Sequence, residues 1–190
     1  MTTSKKWLPY LLVVIAFALI SSIYFLPSFD GYQLNQGDIT SYKGMSKEIV
    51  DFRKEFNEEP LWSNAMFGGM PSYQTSTSYQ TGYVYIRDFV RMPFSYNAFM
   101  VFLAFLAFFV LLRALKTPLI LAFFGALLYG LSTYNILIIE AGHNTKMHAI
   151  ATIPFVLASL IMLLRSKKHL ILYTGFFALT MGYQLFCNHI

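Results

Sequence analysis

Residues 97–139 read NAFMVFLAFLAFFVLLRALKTPLILAFFGALLYGLSTYNILII. Two apolar runs, Asn97–Leu115 and Thr117–Ile139, meet at a tight turn that holds Arg113 and Lys116. Each run is long enough to cross a hydrocarbon core, which takes roughly 17–25 helical residues. No water is available there to satisfy backbone N–H and C=O groups, so helix is the form such runs adopt. Gly125, Gly130, Ser132 and Thr133 in the second run suit close packing between helices.

Runs of the same kind lie on both sides: Trp7–Leu26 before, Met147–Leu164 and Leu170–Cys187 after. The predicted fold is an all-α polytopic membrane protein with about five transmembrane helices. Composition points the same way. The chain is 56% hydrophobic and 12% charged, with 19 Phe and 13 Tyr among 190 residues, more apolar surface than a soluble domain of this size hides. Three regions follow: residues 1–26, an N-terminal tail and first transmembrane helix; 27–96, a long extracytoplasmic loop carrying short amphipathic helices; and 97–190, four further transmembrane helices. The first apolar run is too long for a secretory signal and lacks a small-residue cleavage site before Pro27, so it reads as an uncleaved anchor. The single Cys187 has no partner for an intrachain disulfide.

Charge orients these runs. Lys5, Lys6, Arg113, Lys116, Arg165, Lys167 and Lys168 all fall on one side, where no Asp or Glu occurs. That side reads as cytoplasmic, which places the N-terminus inside. His169 belongs to the same basic face. The net charge of +5 is therefore a signature of topology, and nucleic acid has no place among the partners. No span carries a repeated polar stripe of the kind that wets a pore. Phosphate-cradling glycine motifs and nucleophile elbows are absent from the sequence as well.

Eight of the nine carboxylates lie in the loop, and the ninth, Glu140, lies on the same predicted outer side. Within the loop, Met45, Ile49, Phe52 and Phe56 recur at helical spacing, which predicts one amphipathic helix from about Lys43 to Phe56, stopped by Pro60. Such a helix lies on the membrane surface or on the spans below. The tetrapeptide SYQT occurs at Ser72–Thr75 and again at Ser78–Thr81, a tyrosine-rich polar surface, and a second short helix is expected over Val84–Met92. Asp38, in Gln36-Gly37-Asp38-Ile39, stands apart from the other acids. A carboxylate held there can deprotonate a hydroxyl acceptor, help hold a divalent cation, or cap a helix. No cofactor is indicated beyond that cation.

The second polar cluster is Glu140-Ala-Gly-His143-Asn-Thr-Lys146-Met-His148, between the third and fourth spans. A helix beginning near Asn144 turns its free amides and positive dipole end outward, and His143 and Lys146 add donors beside it. This is a cradle for a phosphate or pyrophosphate, or else an interfacial loop with its polar groups in water. His148, deeper in the apolar run, lines a cavity or finds a partner there. His143, His148 and His189 lack the tight ligand spacing of a zinc site, so no metal site is assigned.

One span, a long outer loop with Gly-Asp near its start, LWSNAMFGGMPSY, and then GHNTKMHAIATIPFVLASL form an order that resembles the YfhO-type bacterial membrane proteins. The resemblance covers nearly the whole chain. That family is grouped with the polytopic C-type glycosyltransferases, which take sugars from polyprenyl-phosphate donors on the outer side of the membrane. The resemblance implies that Asp38 is the acidic residue of the first outer loop, acting as base or metal ligand. Trp62 and Gly68-Gly69 match the family's tryptophan and glycine-rich segment. His143, Lys146 and His148 match its second outer motif, near the lipid phosphate, and Asn188-His189 the start of a further polar motif. Many C-type enzymes carry two adjacent acids, whereas Gly37 and Ile39 flank Asp38, which favours a base acting without metal. Family members continue through more spans, so this chain is expected to be an N-terminal portion.

The function implied is a membrane glycosyltransferase, or the N-terminal part of one, whose partners are a polyprenyl-phosphate sugar donor and membrane lipids, modifying an envelope glycan or lipid. The alternative is a non-catalytic membrane protein that binds or helps translocate lipid-linked glycans, or an assembly scaffold.

Overall fold

The computed structural model describes residues 7–76 and 81–187. Over these residues the chain is mostly helical, in the order α1 (Leu8–Tyr24), a 3₁₀ turn (Leu26–Asp30), α2 (Gly37–Met45), α3 (Lys47–Phe56), β1 (Trp62–Ser63), β2 (Met70–Pro71), α4 (Ser72–Thr75), α5 (Gly82–Arg91), α6 (Tyr96–Ala114), α7 (Leu119–Gly130), α8 (Thr133–Ala141), α9 (Asn144–Arg165) and α10 (Leu170–Phe186). Three helical segments are long and apolar enough to cross a membrane: Tyr96–Ala114, Leu119–Ala141 and Asn144–Arg165. Helices α1 and α10 are apolar too, but each is 17 residues long.

Helix α6 is the centre. It packs against α1, α7 and α9, while α10 packs on α9. Its sequence is apolar all round, as a helix surrounded by others must be. Phe99, Met100 and Phe105 of α6 are fully enclosed, together with Phe17 of α1 and Met147 of α9. Phe17 stacks on Phe123 at 5.3 Å and meets Phe109 edge-on at 5.7 Å. Aromatic geometry of this kind adds to dispersion where lipid removes any hydrophobic incentive for helices to associate.

Small residues set how closely α7 approaches α6. Ala122, Ala126 and Gly130 repeat every fourth position and are all buried, a stripe that lets two backbones come together. A Cβ at Gly130 would collide with the Phe105 ring, and one at Gly125 would lie 2.7 Å from Leu112 Cδ1. Ser132 and Thr133 act differently from the two glycines. The run expected as a single span breaks there, with α7 ending at Gly130 and α8 starting at Thr133. Breaking a helix frees carbonyls that cannot be left bare in an apolar setting. Here the Asn135 amide donates to the carbonyls of Tyr129 (2.8 Å) and Gly130 (3.5 Å).

Pro154 inside α9 creates a similar vacancy, because it has no N–H to offer the carbonyl four residues earlier. That carbonyl belongs to Ile150, and the Tyr129 hydroxyl donates to it at 2.7 Å. The bond ties α7 to α9 where the helix ladder is interrupted. Tyr129→Phe is therefore expected to cost about 1 kcal/mol, the usual scale for an interhelical hydrogen bond in a bilayer, read as a lower unfolding midpoint in detergent. An unchanged midpoint would show that the carbonyl finds another donor.

At one end of the bundle the cations hold the turns together. The Arg113 guanidinium donates to the Thr117 carbonyl and to the Tyr10 hydroxyl, the latter at 3.0 Å. Arg165 Nη1 donates to the Ala114 carbonyl at 2.8 Å. Lys5 and Lys6 lie outside the described residues.

The segment between α1 and α6 differs from expectation in its details. The amphipathic helix expected from Lys43 to Phe56 is two helices, divided at Ser46. Met45 ends α2, following Gly44, a residue that weakens helix continuation. The apolar stripe survives in α3 alone, with Ile49 buried and the Phe52 and Phe56 rings 4.7 Å apart. Its end is set by Asn57, which adopts a left-handed conformation at φ 53°, before Pro60 is reached. Arg53 then pairs with Glu59 and donates to the Ser76 carbonyl at 2.9 Å, closing this region on itself. Helix α5 falls within two residues of its expected bounds. The first SYQT forms α4, whereas Ser78, Tyr79 and Gln80 of the second lie outside the described residues.

Candidate functional site

The turn between α8 and α9 is built on Gly142. Its φ of 99° belongs to the left-handed region that side-chain-bearing residues avoid. Two amides, Gly142 N and His143 N, reach back to the Ile138 carbonyl at 3.2 and 3.0 Å, closing α8. A Cβ at Gly142 would also stand 3.0 Å from Gln36 Cβ and 3.2 Å from Asp38 Cβ. Glycine is thus required twice, for backbone shape and because the start of α2 rests directly on this turn. The Gln36 side chain fixes the contact, its Nε2 donating to the Ile139 carbonyl at 2.5 Å and to Asn144 Oδ1 at 3.4 Å.

This docking unites two residues 105 positions apart in the chain. Asp38 Oδ2 lies 2.6 Å from His143 Nδ1. Both side chains are 49% exposed, so the pair is open to the medium. Asp38 sits in the first turn of α2, where its charge suits the helix dipole. It does not cap that helix, whose N-cap position is Gln36 and which has no side-chain capping bond. A carboxylate this close to Nδ1 can hold a proton there, which leaves the Nε2 lone pair as the ring's free acceptor, the arrangement of a base beside an orienting carboxylate.

Lys146 occupies the first turn of α9, three positions after His143, and its ammonium stands over the Tyr134 ring at 5.3 Å. Helix α9 begins beside the pair, so its first-turn amides and positive dipole end lie there too. His148 is elsewhere. Five residues past His143, it is turned around the helix into α6, only 6% exposed, with the Tyr96 and Phe99 rings 5.6 and 5.9 Å away. Neither of its ring nitrogens has a hydrogen-bond partner. His189 and Asn188 lie outside the described residues. Among the described residues no three His, Cys, Asp or Glu side chains come together as a metal cage would require.

Trp62 belongs to a separate unit. Strands β1 and β2 pair antiparallel, Trp62 opposite Pro71 and Ser63 opposite Met70. Gly69, at φ 122°, passes so close under the indole that a Cβ would come within 2.6 Å of Trp62 Nε1. That close approach is the physical reason for glycine in the GGMP stretch. The hairpin is held to α3 by Glu48, whose Oε2 accepts from Ser63 Oγ (2.6 Å), Asn64 N (2.9 Å) and Ala65 N (3.0 Å). These bonds, the Ser63 hydroxyl first, keep the Glu48 carboxyl below the usual carboxylate range. A depressed folded pKa gives stability that is complete above the ordinary value near 4.5 and is lost as pH falls through the folded one. Glu48→Ala at neutral pH, and acid in the native protein, are both expected to speed protease nicking between residues 61 and 71. Equal nicking rates in variant and native protein would mean that Glu48 does not hold the hairpin.

Gln36 and Gly142 are the functional positions that residue chemistry alone did not single out. Their neighbours Asp38 and His143 carried the only signal. Compared with protein-family models, curated proteins and solved structures, the chain matches none.

Proposed function

We propose that Asp38 and His143 form the acid–base centre of a membrane glycosyltransferase, or of its N-terminal part, that takes sugar from a polyprenyl-phosphate donor and transfers it to an envelope glycan or lipid. The observation that carries this reading is the 2.6 Å contact between the two side chains at an open face of the helical bundle. In this reading α1, α6, α7 with α8, α9 and α10 cross a bacterial cytoplasmic membrane, the N-terminus is inside, and the α1–α6 segment lies outside. Support comes from the clustering of Lys116, Arg165, Lys167 and Lys168 at one end without a carboxylate. A helix of 17 residues spans about 25 Å at ~1.5 Å per residue, which modest bilayer thinning accommodates.

The chemistry proceeds from the pair outward. Asp38 accepts Nδ1–H and holds the imidazole in one tautomer. His143 Nε2 takes the proton of the acceptor hydroxyl as its oxygen bonds to the anomeric carbon. The bond from that carbon to the phosphate oxygen breaks, and the electron pair leaves with the polyprenyl phosphate. Lys146 and the α9 amides stabilise the added negative charge, the kind of contact that strengthens as the bond breaks. Asp38 is then the positioning residue and His143 the base, a division of labour that replaces Asp38 acting alone.

Liposomes holding the full-length protein, loaded with polyprenyl-phosphate-linked sugars and an envelope acceptor fraction, test this. The expected result is release of polyprenyl phosphate. If lipid-linked sugar is bound but stays intact, the non-catalytic alternative is correct.

A further inference from the structure

The basic end of the bundle contains a recess of about 440 Å³ between the α6–α7 turn and the α9–α10 turn. Lys116, Arg165, Lys167, Lys168, His169 and Tyr173 line it. None of the ion pairs among the described residues involves any of these cations. Every carboxylate of the chain lies between residues 30 and 88 or at Glu140, so the charge has no internal counterpart. The walls are fixed, because Arg165 Nη1 bridges from α9 to the Ala114 carbonyl at 2.8 Å. Lys116 adopts a left-handed backbone, φ 67°, where glycine or asparagine costs least. The position bears a long cation in spite of that local preference.

From these features we infer that the recess binds the head group of an anionic phospholipid, its phosphodiester among Lys116, Arg165 and Lys168. Basic pockets between membrane helices favour such heads, since they combine charge with a fixed distance from the apolar core. The surface next to the recess suits the rest of the lipid. Tyr173 is shared with an apolar groove along α10 formed by Ile171, Leu172, Gly175 and Phe176. A tyrosine between a charged recess and an apolar groove sits where an interfacial aromatic belongs. This inference is independent of glycosyl transfer and rests on charge and shape alone.

Native mass spectrometry of the full-length protein after detergent delipidation tests it. Supplied with equal phosphatidylglycerol and phosphatidylcholine, the protein is expected to retain one phosphatidylglycerol and to exclude phosphatidylcholine. Lys116→Gln with Lys168→Gln should lower that retention at least about tenfold, the effect of losing about 1.4 kcal/mol. Lys116→Arg with Lys168→Arg keeps the charge and should retain the lipid, which guards against misfolding as the cause. Lys43→Gln with Lys54→Gln, basic residues of α2 and α3 that do not line the recess, should retain it too. Equal retention of phosphatidylcholine would overturn the inference, as would equal loss in the Lys43/Lys54 variant, which marks diffuse surface attraction. Displacement by glycerol phosphate at matched concentration would assign the recess to a soluble anion and would also overturn it.

Discussion

On the proposed mechanism, His143→Gln is expected to lower polyprenyl-phosphate release by about 10²–10⁴-fold, the usual contribution of a positioned general base. Glutamine fills a similar volume and can still donate to Asp38, so the α2 contact persists while the proton acceptor at Nε2 is gone. The loss should fall on turnover, with donor binding little changed, because Lys146 and the α9 amides remain. Asp38→Asn acts one step further back. Its amide would offer N–H to Nδ1, favouring the tautomer that protonates Nε2 and so disabling the same base. Its 2.6 Å partner leaves no room for water to restore the original arrangement. Comparing turnover with donor binding for both variants separates this from simple misfolding, which would remove both.

Gly130→Leu is expected to destabilise the bundle strongly. Even a Cβ at Gly130 meets the Phe105 ring, and Phe105 is fully buried at the centre of α6. The ring cannot yield easily, since Phe17 also packs against it with centroids 5.3 Å apart. Overpacking of this kind costs about 1–3 kcal/mol. The Asn135 bond to the Gly130 carbonyl, which seals the α7–α8 break, would be strained along with it. A midpoint shift in an SDS unfolding titration reads the effect. Gly175→Leu is the matched control, for nothing lies within 4 Å of its built Cβ. Equal midpoints for the two variants would refute the close α6–α7 contact.

Length and hydropathy made the helical framework legible, because a bilayer leaves the chain few choices. All five apolar runs became helical, the third of them as two helices, and three of the segments are long and apolar enough to span. What stayed hidden depended on side chains answering backbone vacancies. Nothing in residues 117–139 alone shows that Asn135 will accommodate a break after Gly130, or that Tyr129 will serve the carbonyl that Pro154 abandons. The Lys43–Phe56 stripe misled at its first member, since Met45 matches the period but follows Gly44 at the end of another helix.

The candidate site was partly legible. Asp38 stood out by its distance from the other acids, and His143 as a donor in the polar cluster where the fourth span begins. Their meeting did not, because it depends on Gly142, whose missing side chain admits the start of α2. His148 and Trp62 were grouped with them by motif order, yet the fold turns one into the α6–α9 interface and the other onto Gly69. Sequence neighbours on a helix five residues apart face different ways, which motif reading does not weigh.

A double-mutant cycle on polyprenyl-phosphate release, using Asp38→Asn, His143→Gln and the combined variant, addresses the central claim directly. Residues acting as one unit are not additive. The combined variant should be no slower than the slower single variant. If the two losses multiply, or if either single change leaves turnover intact, Asp38 and His143 are not one acid–base centre.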